Sequence, residues 1–348
     1  MKRLHNIFNR ELLLEKLKND PTPRTTISFY RYVRIANPTL FRDHLYQILD
    51  ELGVLGRIYI ATEGINGQIS VPDESLDSFK ISIDQIEYLK NIRLNIAIDD
   101  NGKSFFKLKI NVRSKIVADG IDDPSFDPSN SGIHLDAKEF NEKSMDPNAV
   151  IIDMRNHYES EVGKFKDAIC PEVVTFRESL PIIVDMLKDR KDQPVLMYCT
   201  GGIRCEKASA YFKHNGFTDV YQLNGGIIQY AKQIKEQNLE SRFIGKNFVF
   251  DERLGERITE DVIGHCHQCG ATCDNHTNCA NDQCHILFIQ CDACKQKYES
   301  CCSSKCKEFN HLSEDEKNKL KGSLKFNGSS FSKGRYKAHS KESTLVLE

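Results

Sequence analysis

The stretch from Val195 to Ala210 constrains the fold of this chain more than any other part of the sequence. It reads as a short apolar strand, a cysteine at position 199, a glycine-containing loop, and an arginine at the start of a helix. Short all-apolar strands that alternate with helices are typical of a buried parallel sheet, whose ligands bind at the carboxyl ends of its strands. Cys199 falls at such an end, where inward-pointing backbone N–H groups and the positive end of a helix favour a reactive thiolate.

The loop after Cys199 has the spacing C-x4-R, which is one residue shorter than the C-x5-R loop of cysteine-dependent phosphatases. The shorter ring is better sized for a sulfur atom than for a phosphoryl group. The glycines let backbone N–H groups turn inward, and Arg204 can stabilise an anion on Cys199. We therefore expect Cys199 and Arg204 to be catalytic, the alternative being a buried, inert thiol at position 199. The residues between them are Thr200, Gly201, Gly202 and Ile203.

The 348 residues are enough for two or three domains. The order of predicted elements, β-α-β-β-α-β, indicates a ferredoxin-like α+β domain in the first third, with a turn at residues 63–67. That turn is either a plain hairpin, which Asn66-Gly67 favours, or a loop that approaches a ligand. A Pro-, Ser- and Asp-rich linker covers residues 122–132. The predicted pieces are a helix in 1–24, the ferredoxin-like domain in 25–121, a parallel-sheet α/β domain in 133–245, a cysteine-rich module in 246–310, and a basic, partly disordered tail in 311–348.

Composition narrows the classes of function. The formal net charge is −2, so the whole protein is not an electrostatic nucleic-acid binder and any basic surface must be local. The N-terminus lacks the apolar stretch of a signal peptide, and no run approaches the roughly 18 apolar residues of a membrane span. We therefore expect a soluble cytoplasmic protein without a membrane partner. No flavin, haem or nucleotide motif is recognisable in the sequence.

Cysteines are concentrated in one module, since ten of the 13 lie between Cys266 and Cys306. In a long chain without an export signal, such density indicates metal binding more than disulfides. Four pairs of cysteines suit two tetrahedral, structural zinc ions if the first pair joins the third and the second joins the fourth. Disulfides, free thiols and an iron–sulfur cluster are the alternatives. The pairs are Cys266 and Cys269, Cys279 and Cys284, Cys291 and Cys294, and Cys302 and Cys306.

Three segments of the predicted α/β domain resemble a rhodanese. They are Asp153-Met-Arg155, Cys199-x-x-Gly-x-Arg204 and Leu223-Asn-Gly225-Gly226. Rhodaneses carry sulfur as a persulfide on the loop cysteine. The resemblance implies that Asp153 and Arg155 brace the loop, and an ion pair suits these two better than direct chemistry.

Two further cysteines, Cys170 and Cys205, lie near the loop in this reading. Each of them is either a small core residue, as buried free cysteines usually are, or a thiol that resolves an oxidised Cys199.

The resemblance extends over nearly the whole chain. Residues 61–67, Ala-Thr-Glu-Gly-Ile-Asn-Gly, and residues 265–270, His-Cys-His-Gln-Cys-Gly, are similar to the rhodanese-type tRNA uridine hydroxylases of bacteria. This resemblance implies conversion of the wobble uridine (position 34) of tRNA to 5-hydroxyuridine, with molecular oxygen as co-substrate and Cys199 as the required cysteine. Addition of Cys199 to the uracil ring would activate C5. The residues alone lead only to persulfide transfer, so a sulfurtransferase is the alternative; the intact loop disfavours a non-catalytic module.

Basic residues on the strands of the first domain alternate with aromatic ones, a pattern that suits contact with an RNA backbone and stacking of bases. A solvated sheet face over an aromatic core is the alternative reading. The tail adds Lys333, Arg335, Lys337 and Lys341 as a weak electrostatic contact. The basic residues of the first domain are Arg31, Arg34, Lys107, Lys109, Arg113 and Lys115, and the aromatic ones are Tyr30, Tyr32, Phe105 and Phe106.

Overall fold

The computed structural model describes residues 10–320, 323–328 and 336. The polar helix expected near the N-terminus is α1, Arg10–Asn19, while residues 1–9 of that expectation lie outside the described residues. No helix in the described part of the chain is long and apolar enough to cross a membrane.

A five-stranded sheet, which we call the N-terminal sheet, forms the first domain. Its strand order is β4-β1-β3-β2-β5, in which β1 is antiparallel to β3 and to β4, β2 is antiparallel to β3, and β5 is parallel to β2. The first four strands have the expected ferredoxin-like order, and β5 adds an edge. The elements are β1 Arg24–Tyr32, α2 Pro38–Glu51, β2 Leu55–Ala61, β3 Gly64–Pro72, α3 Leu76–Asp84, β4 Asn95–Ile96 and β5 Leu108–Val112.

The two faces of the N-terminal sheet differ in chemistry. Ile27 and Phe29 of β1 are buried in an apolar core with residues of α2 and α3. Because successive side chains of a strand point to opposite faces, Ser28 and Tyr30 lie on the other face. That face carries polar and aromatic residues and is turned toward the parallel sheet described below, where Tyr30 donates a hydrogen bond to Glu206.

The turn expected at residues 63–67 is placed differently. β2 ends at Ala61 and β3 begins at Gly64, so the chain reverses at Thr62 and Glu63. Gly67 lies inside β3, where an added Cβ would stand 2.5 Å from the ring of Phe29. The Asn-Gly pair therefore does not mark a hairpin turn here, because the glycine is needed where an aromatic ring approaches the backbone.

A parallel sheet with the order β6-β10-β9-β7 forms the second domain. All residues of β7 and β9 are buried, and separate apolar clusters pack on the two faces of the sheet. This confirms the expected parallel-sheet α/β arrangement. The elements are β6 Ile133–Leu135, α4 Ala137–Lys143, β7 Val150–Asp153, α5 His157–Ser160, β8 Gly163–Phe165, α6 Phe176–Met186, β9 Val195–Tyr198, α7 Ile203–His214, β10 Val220–Leu223 and α8 Gly226–Glu236.

The chain then enters the cysteine-rich module. Strand β11, Phe243–Asn247, pairs with β8 and with β12, Glu256–Arg257. The module itself is small, and its buried cluster consists largely of cysteines around Ile286 and Phe288. Most of the tail expected to be disordered lies outside the described residues. The remaining elements are β13 His276–Asn278, β14 Leu287–Ile289, α9 Asp292–Tyr298, α10 Ser304–Asn310 and α11 Glu314–Lys319.

A buried lysine joins the first two domains. Lys207 of α7 is 2% exposed, and its ammonium lies 2.8 Å from the Glu63 carboxylate and forms a second ion pair with Asp119. Its Nζ also lies 5.6 Å from the centre of the Tyr32 ring. The turn of the N-terminal sheet, the segment after β5 and helix α7 are thus held at one point.

Candidate active site

Cys199 directly follows β9, and its sulfur lies at the start of α7. The residue before this helix, Gly202, has a φ of +99° and caps its N-terminus. The backbone N–H of Gly202 donates to Sγ of Cys199 over 3.1 Å. A residue with a Cβ would be strained at this φ, so glycine lets the backbone aim its N–H group at the sulfur.

The surroundings of Cys199 make its thiol unusually acidic. Burial raises its pKa, but a hydrogen bond from the Cys205 thiol, the charge of Arg204 and the N–H groups of Cys205 and Arg204 outweigh that effect. The net result lowers the pKa of Cys199 to about 6. The thiolate, which is the nucleophilic form, therefore predominates at neutral pH.

The loop keeps this orientation because its carbonyl groups are bonded on the outside. The N–H groups of Ile227 and Ile228, at the start of α8, donate to the carbonyls of Cys199 and Thr200 over 3.0 and 3.2 Å. Gly226 permits this approach, since a Cβ there would stand 2.5 Å from the Cys199 carbonyl oxygen. The start of one helix thus orients the loop, while the start of another faces the sulfur.

Arg204 is placed differently from the simplest expectation. Its guanidinium forms a two-point ion pair with Glu159, at 2.6 and 2.9 Å, rather than a direct bond to the sulfur. Glu159 is 0% exposed; burial raises its pKa, but the Arg204 charge outweighs this and keeps the pKa below its usual value. The charge of Arg204 still helps to lower the pKa of Cys199.

Glu159 is the site residue that sequence reasoning missed. It closes a capping box with Asn156 at the start of α5. The Asn-x-x-Glu spacing is a sequence signal for a helix start, but nothing in it points to Arg204, which lies 45 residues further along the chain.

Asp153 and Arg155 lie directly beneath the loop. They form a buried ion pair at 2.6 Å, and Arg155 also donates to the Gly163 carbonyl. The hydroxyl of Tyr198, the residue before Cys199, donates to Asp153 over 2.8 Å. This pair is positioned to fix the end of β9, and it makes no contact of its own with the sulfur among the described hydrogen bonds.

The two other nearby cysteines differ. Cys205 is buried and in hydrogen-bond contact with Cys199, and burial raises its pKa well above the usual value. Cys170 lies by Asp153, with its sulfur 4.0 Å from the carboxylate, and burial raises its pKa to about 11. Of the two, only Cys205 directly influences the Cys199 thiolate.

The open face of the N-terminal sheet covers the active loop. The Tyr30 hydroxyl donates to Glu206 over 3.1 Å and would lie 2.8 Å from a Cβ at Gly202. The Tyr32 hydroxyl donates to the Ile203 carbonyl over 3.2 Å. Both tyrosines thus hold the N-terminal sheet against the start of α7.

A cavity of about 400 Å³ lies between the two domains. Cys199, Thr200 and Gly201 form part of one wall, while side chains of β1, β2 and β3 form another. Cys199 is 0% exposed and is among the residues that line this cavity. The cavity-lining residues that the sequence did not indicate include Tyr59, Asn95, Phe176, Phe250 and Glu256.

The six basic residues expected to contact RNA are not brought together. Arg31 lies on the helix-covered side, where its guanidinium donates to the Lys90 carbonyl over 2.6 Å, and Lys115 pairs with Asp119 at 2.6 Å. Three others, Arg34, Lys109 and Arg113, are exposed. The Lys107 ammonium lies 5.2 Å from the Phe106 ring, and the Arg113 guanidinium lies 5.8 Å from the Tyr59 ring. The tail lysines and arginine lie outside the described residues.

The cysteine-rich module contains two groups of four sulfur atoms, each group lying within 4.8 Å. The first and third pairs form one group and the second and fourth form the other, the interleaved arrangement that the spacing favoured. Sulfur atoms around tetrahedral zinc at about 2.3 Å lie about 3.8 Å apart. Separations of 3.6 Å occur in both groups, so both could hold a metal ion. The groups are Cys266, Cys269, Cys291 and Cys294, and Cys279, Cys284, Cys302 and Cys306.

Three family models match the chain in the same order as its domains. A "UPF0176 acylphosphatase like domain" matches residues 24–116, a "Rhodanese-like domain" matches residues 136–233, and a "Rhodanase C-terminal" region matches residues 244–307.

Curated relatives are similar to this chain over most of their length. A tRNA uridine(34) hydroxylase of Photorhabdus laumondii is 53% identical over 335 residues, which is 96% of this chain and 95% of the relative. Proteins with the same name from Pectobacterium carotovorum and Escherichia coli are 58% and 57% identical and cover 87% of this chain, with 86% and 87% of the relatives covered.

Proposed function

The chain belongs to the family of tRNA uridine(34) hydroxylases, and from this premise we propose that Cys199 is the nucleophile with which it hydroxylates the wobble uridine of tRNA. The product is 5-hydroxyuridine. One observation carries the proposal: a cysteine whose pKa is lowered to about 6 lines a cavity whose opposite wall belongs to a second domain.

The chemistry begins with the Cys199 thiolate, which adds to C6 of the uracil ring. Addition at C6 moves electron density to C5 and O4, so that C5 becomes nucleophilic. Molecular oxygen supplies the new oxygen atom at C5, while two electrons and two protons from an external reductant convert the second oxygen atom to water. Loss of the C5 proton and expulsion of the Cys199 thiolate then restore the ring and the enzyme.

Each supporting residue has a defined part in this proposal. The N–H groups of the loop and the charge of Arg204 keep Cys199 ionised, and Glu159 holds Arg204 in place. Asp153 and Arg155 brace the strand that presents Cys199. The N-terminal sheet forms the wall opposite the loop, which would limit the access of water to a carbanion-like C5 and so its simple protonation.

RNA contact is assigned to the exposed basic residues at the rim. Lys109 lies between the core residues Leu108 and Ile110, so its side chain is on the open face of the N-terminal sheet, and its strand partner is Arg57 of the cavity wall. Arg113 is close to Tyr59 of the same wall. Lys109 and Arg113 would meet phosphates around a base that enters the cavity. Because tRNA is the substrate, we expect the enzyme to act in the cytoplasm.

The two groups of cysteines are assigned to two structural zinc ions. Four thiolates in each group leave no open position for a substrate, which is typical of structural rather than catalytic zinc. The ions would stiffen a module that has few buried apolar residues of its own.

The test uses a strain that lacks the gene and carries either the wild-type or the Cys199→Ser protein. We expect mass analysis of its tRNA nucleosides to show 5-hydroxyuridine derivatives with the wild type and none with Cys199→Ser. Cys273→Ser is the matched control, because Cys273 lies outside both metal-binding groups and away from the cavity. An active Cys199→Ser protein would overturn the proposal, and a loss of thiolated nucleosides instead would indicate sulfur transfer.

A further inference from the structure

Three polar side chains form a patch on the cavity wall that the proposed reaction has not used. Ser28 of β1 pairs in register with Asn95 of β4, and Glu256 of β12 is tied to the same edge through the Ile98 N–H, which donates to its Oε1 over 3.1 Å. The second donor to this oxygen is Arg253, at 2.6 Å. We call Ser28, Asn95 and Glu256 the edge patch.

The edge patch holds three buried atoms that lack a partner. The atoms are Ser28 Oγ, Asn95 Oδ1 and Glu256 Oε2, none of which has a hydrogen-bond partner among the residues that the structure describes. Asn95 is 4% exposed and Glu256 is 1% exposed. Buried polar atoms are nearly always paired in proteins, so three of them on one cavity wall indicate a ligand that supplies the missing bonds.

Glu256 has a further reason to accept a donor. Burial raises its pKa, and although Arg253 opposes this effect, the pKa stays above its usual value. A carboxylate with incompletely compensated charge gains stability from an additional N–H group directed at its unpaired oxygen.

The patch includes Ser28, which lies on the strand that also contacts the active loop. Tyr30 contacts the active loop at Gly202, and Ser28 lies two residues before Tyr30 on the same face of β1. Residues two apart in a strand are separated by about 7 Å. The cavity walls also include Tyr59 and Phe250, which offer flat apolar surfaces to a planar ligand.

We propose that the edge patch recognises the N3 edge of the uracil ring, with Glu256 and Asn95 accepting the N3–H and Ser28 donating to a ring carbonyl. In a six-membered pyrimidine, N3 lies directly across the ring from C6. A uracil whose C6 meets the Cys199 sulfur therefore turns its N3–H toward the opposite wall. This inference rests on the proposed function, because it takes the cavity to be the uridine site.

The patch would also select against cytosine. Neutral cytosine has a lone pair at N3 where uracil has an N–H, and this lone pair would face the unpaired oxygens of Asn95 and Glu256. A site built to accept a hydrogen bond discriminates strongly against a ligand that lacks the donor, because its own buried groups then stay unpaired.

The test measures binding of anticodon stem-loop RNAs to the full-length protein by fluorescence anisotropy. Position 34 carries uridine, 3-methyluridine or cytidine. We expect the wild type to bind the uridine RNA about tenfold more tightly than either other RNA, as loss of a buried hydrogen bond implies. Equal binding of uridine and 3-methyluridine RNAs would overturn the inference, whether or not the protein is catalytically active.

Variants then locate the discrimination. Ser28→Ala, Asn95→Ala and Glu256→Gln should each reduce the preference for uridine, and Ser28→Ala is the least disturbing of them because it removes one hydroxyl. Asn111→Ala is the matched control: Asn111 lies on β5 of the same sheet and does not line the cavity. A full preference in all three patch variants would overturn the inference. If the wild-type protein prefers uridine RNA but does not hydroxylate it, only the proposed function is contradicted.

Discussion

Cys199 and the cysteine-rich module use the same residue type in opposite ways. The negative charge of Cys199 is supported by a backbone N–H group at 3.1 Å, the Cys205 thiol and a neighbouring arginine. In the module, each of the eight grouped sulfur atoms has three others within 4.8 Å. Thiolates crowded this closely repel one another unless a cation lies between them, whereas one thiolate can be stabilised by protein dipoles alone. The surroundings of a cysteine, and not its burial, thus separate a reactive site from a structural one.

The largest expected effect is on the module. Removing zinc from the full-length protein with a strong chelator should unfold residues 266–306, because structural zinc contributes on the order of 10 kcal/mol or more per ion at neutral pH. Limited proteolysis would detect the unfolding, and the metal content would be measured in parallel. Cys284→Ser should lose one of two zinc ions, while Cys273→Ser should keep both. Two bound zinc ions in Cys284→Ser would contradict the assignment.

The second effect concerns the support of the lone thiolate. Glu159→Gln leaves the Arg204 guanidinium buried without its carboxylate partner, so we expect the free energy of unfolding to fall by about 3–5 kcal/mol. Chemical denaturation followed by circular dichroism measures this change. Glu159→Asp, which keeps the charge, should recover part of the loss. A variant as stable as the wild type would show that the ion pair is not what holds Arg204.

The third effect compares two thiols by pH. The pKa of Cys199 is lowered to about 6, so the rate of its alkylation by iodoacetamide should rise with pH and level off above about 7. The pKa of Cys170 is raised to about 11, so its alkylation should still be rising at pH 9. Peptide mass analysis follows both residues in one sample. A plateau for Cys199 only above pH 8 would remove the basis for its proposed role.

The smallest effect comes from the neighbouring thiol. Cys205→Ala removes one hydrogen bond to the Cys199 thiolate, which is worth about 0.5–1.5 kcal/mol. The midpoint of Cys199 alkylation should therefore move to higher pH by up to about one unit. Cys170→Ala should leave the midpoint unchanged, since Cys170 does not contribute to the lowered pKa of Cys199. No shift in Cys205→Ala would mean that the loop N–H groups and Arg204 suffice.

Features carried by a short stretch of sequence could be predicted well. The strand, loop and helix around Cys199 follow from contiguous residues, and the interleaved grouping of the cysteines follows from their spacing. The ferredoxin-like strand order also followed from the order of its elements.

Features that depend on packing between distant segments could not be predicted. Glu159 meets Arg204 only because α5 and α7 lie at the same end of the parallel sheet, and Glu256 meets the backbone of Ile98 only because the chain around β12 returns to the edge of the N-terminal sheet. The displaced turn has the same origin, since Gly67 is required by the ring of Phe29 and not by its neighbours in sequence. The basic residues of β1 and β5 were grouped by composition, which does not reveal that Arg31 and Lys109 lie on opposite faces.

The ion pairs of Lys207 constrain how the two halves of this enzyme can change in evolution or by engineering. Lys207 of the half that contains the parallel sheet is buried against Glu63 and Asp119 of the N-terminal half. Replacing either half would leave a buried charge without its partner, which costs stability. Cys199 lies in one half, while much of the cavity wall belongs to the other. The two halves are therefore expected to evolve together, and a chimera with a foreign N-terminal half would need a matching acid for Lys207 before its substrate preference could be read.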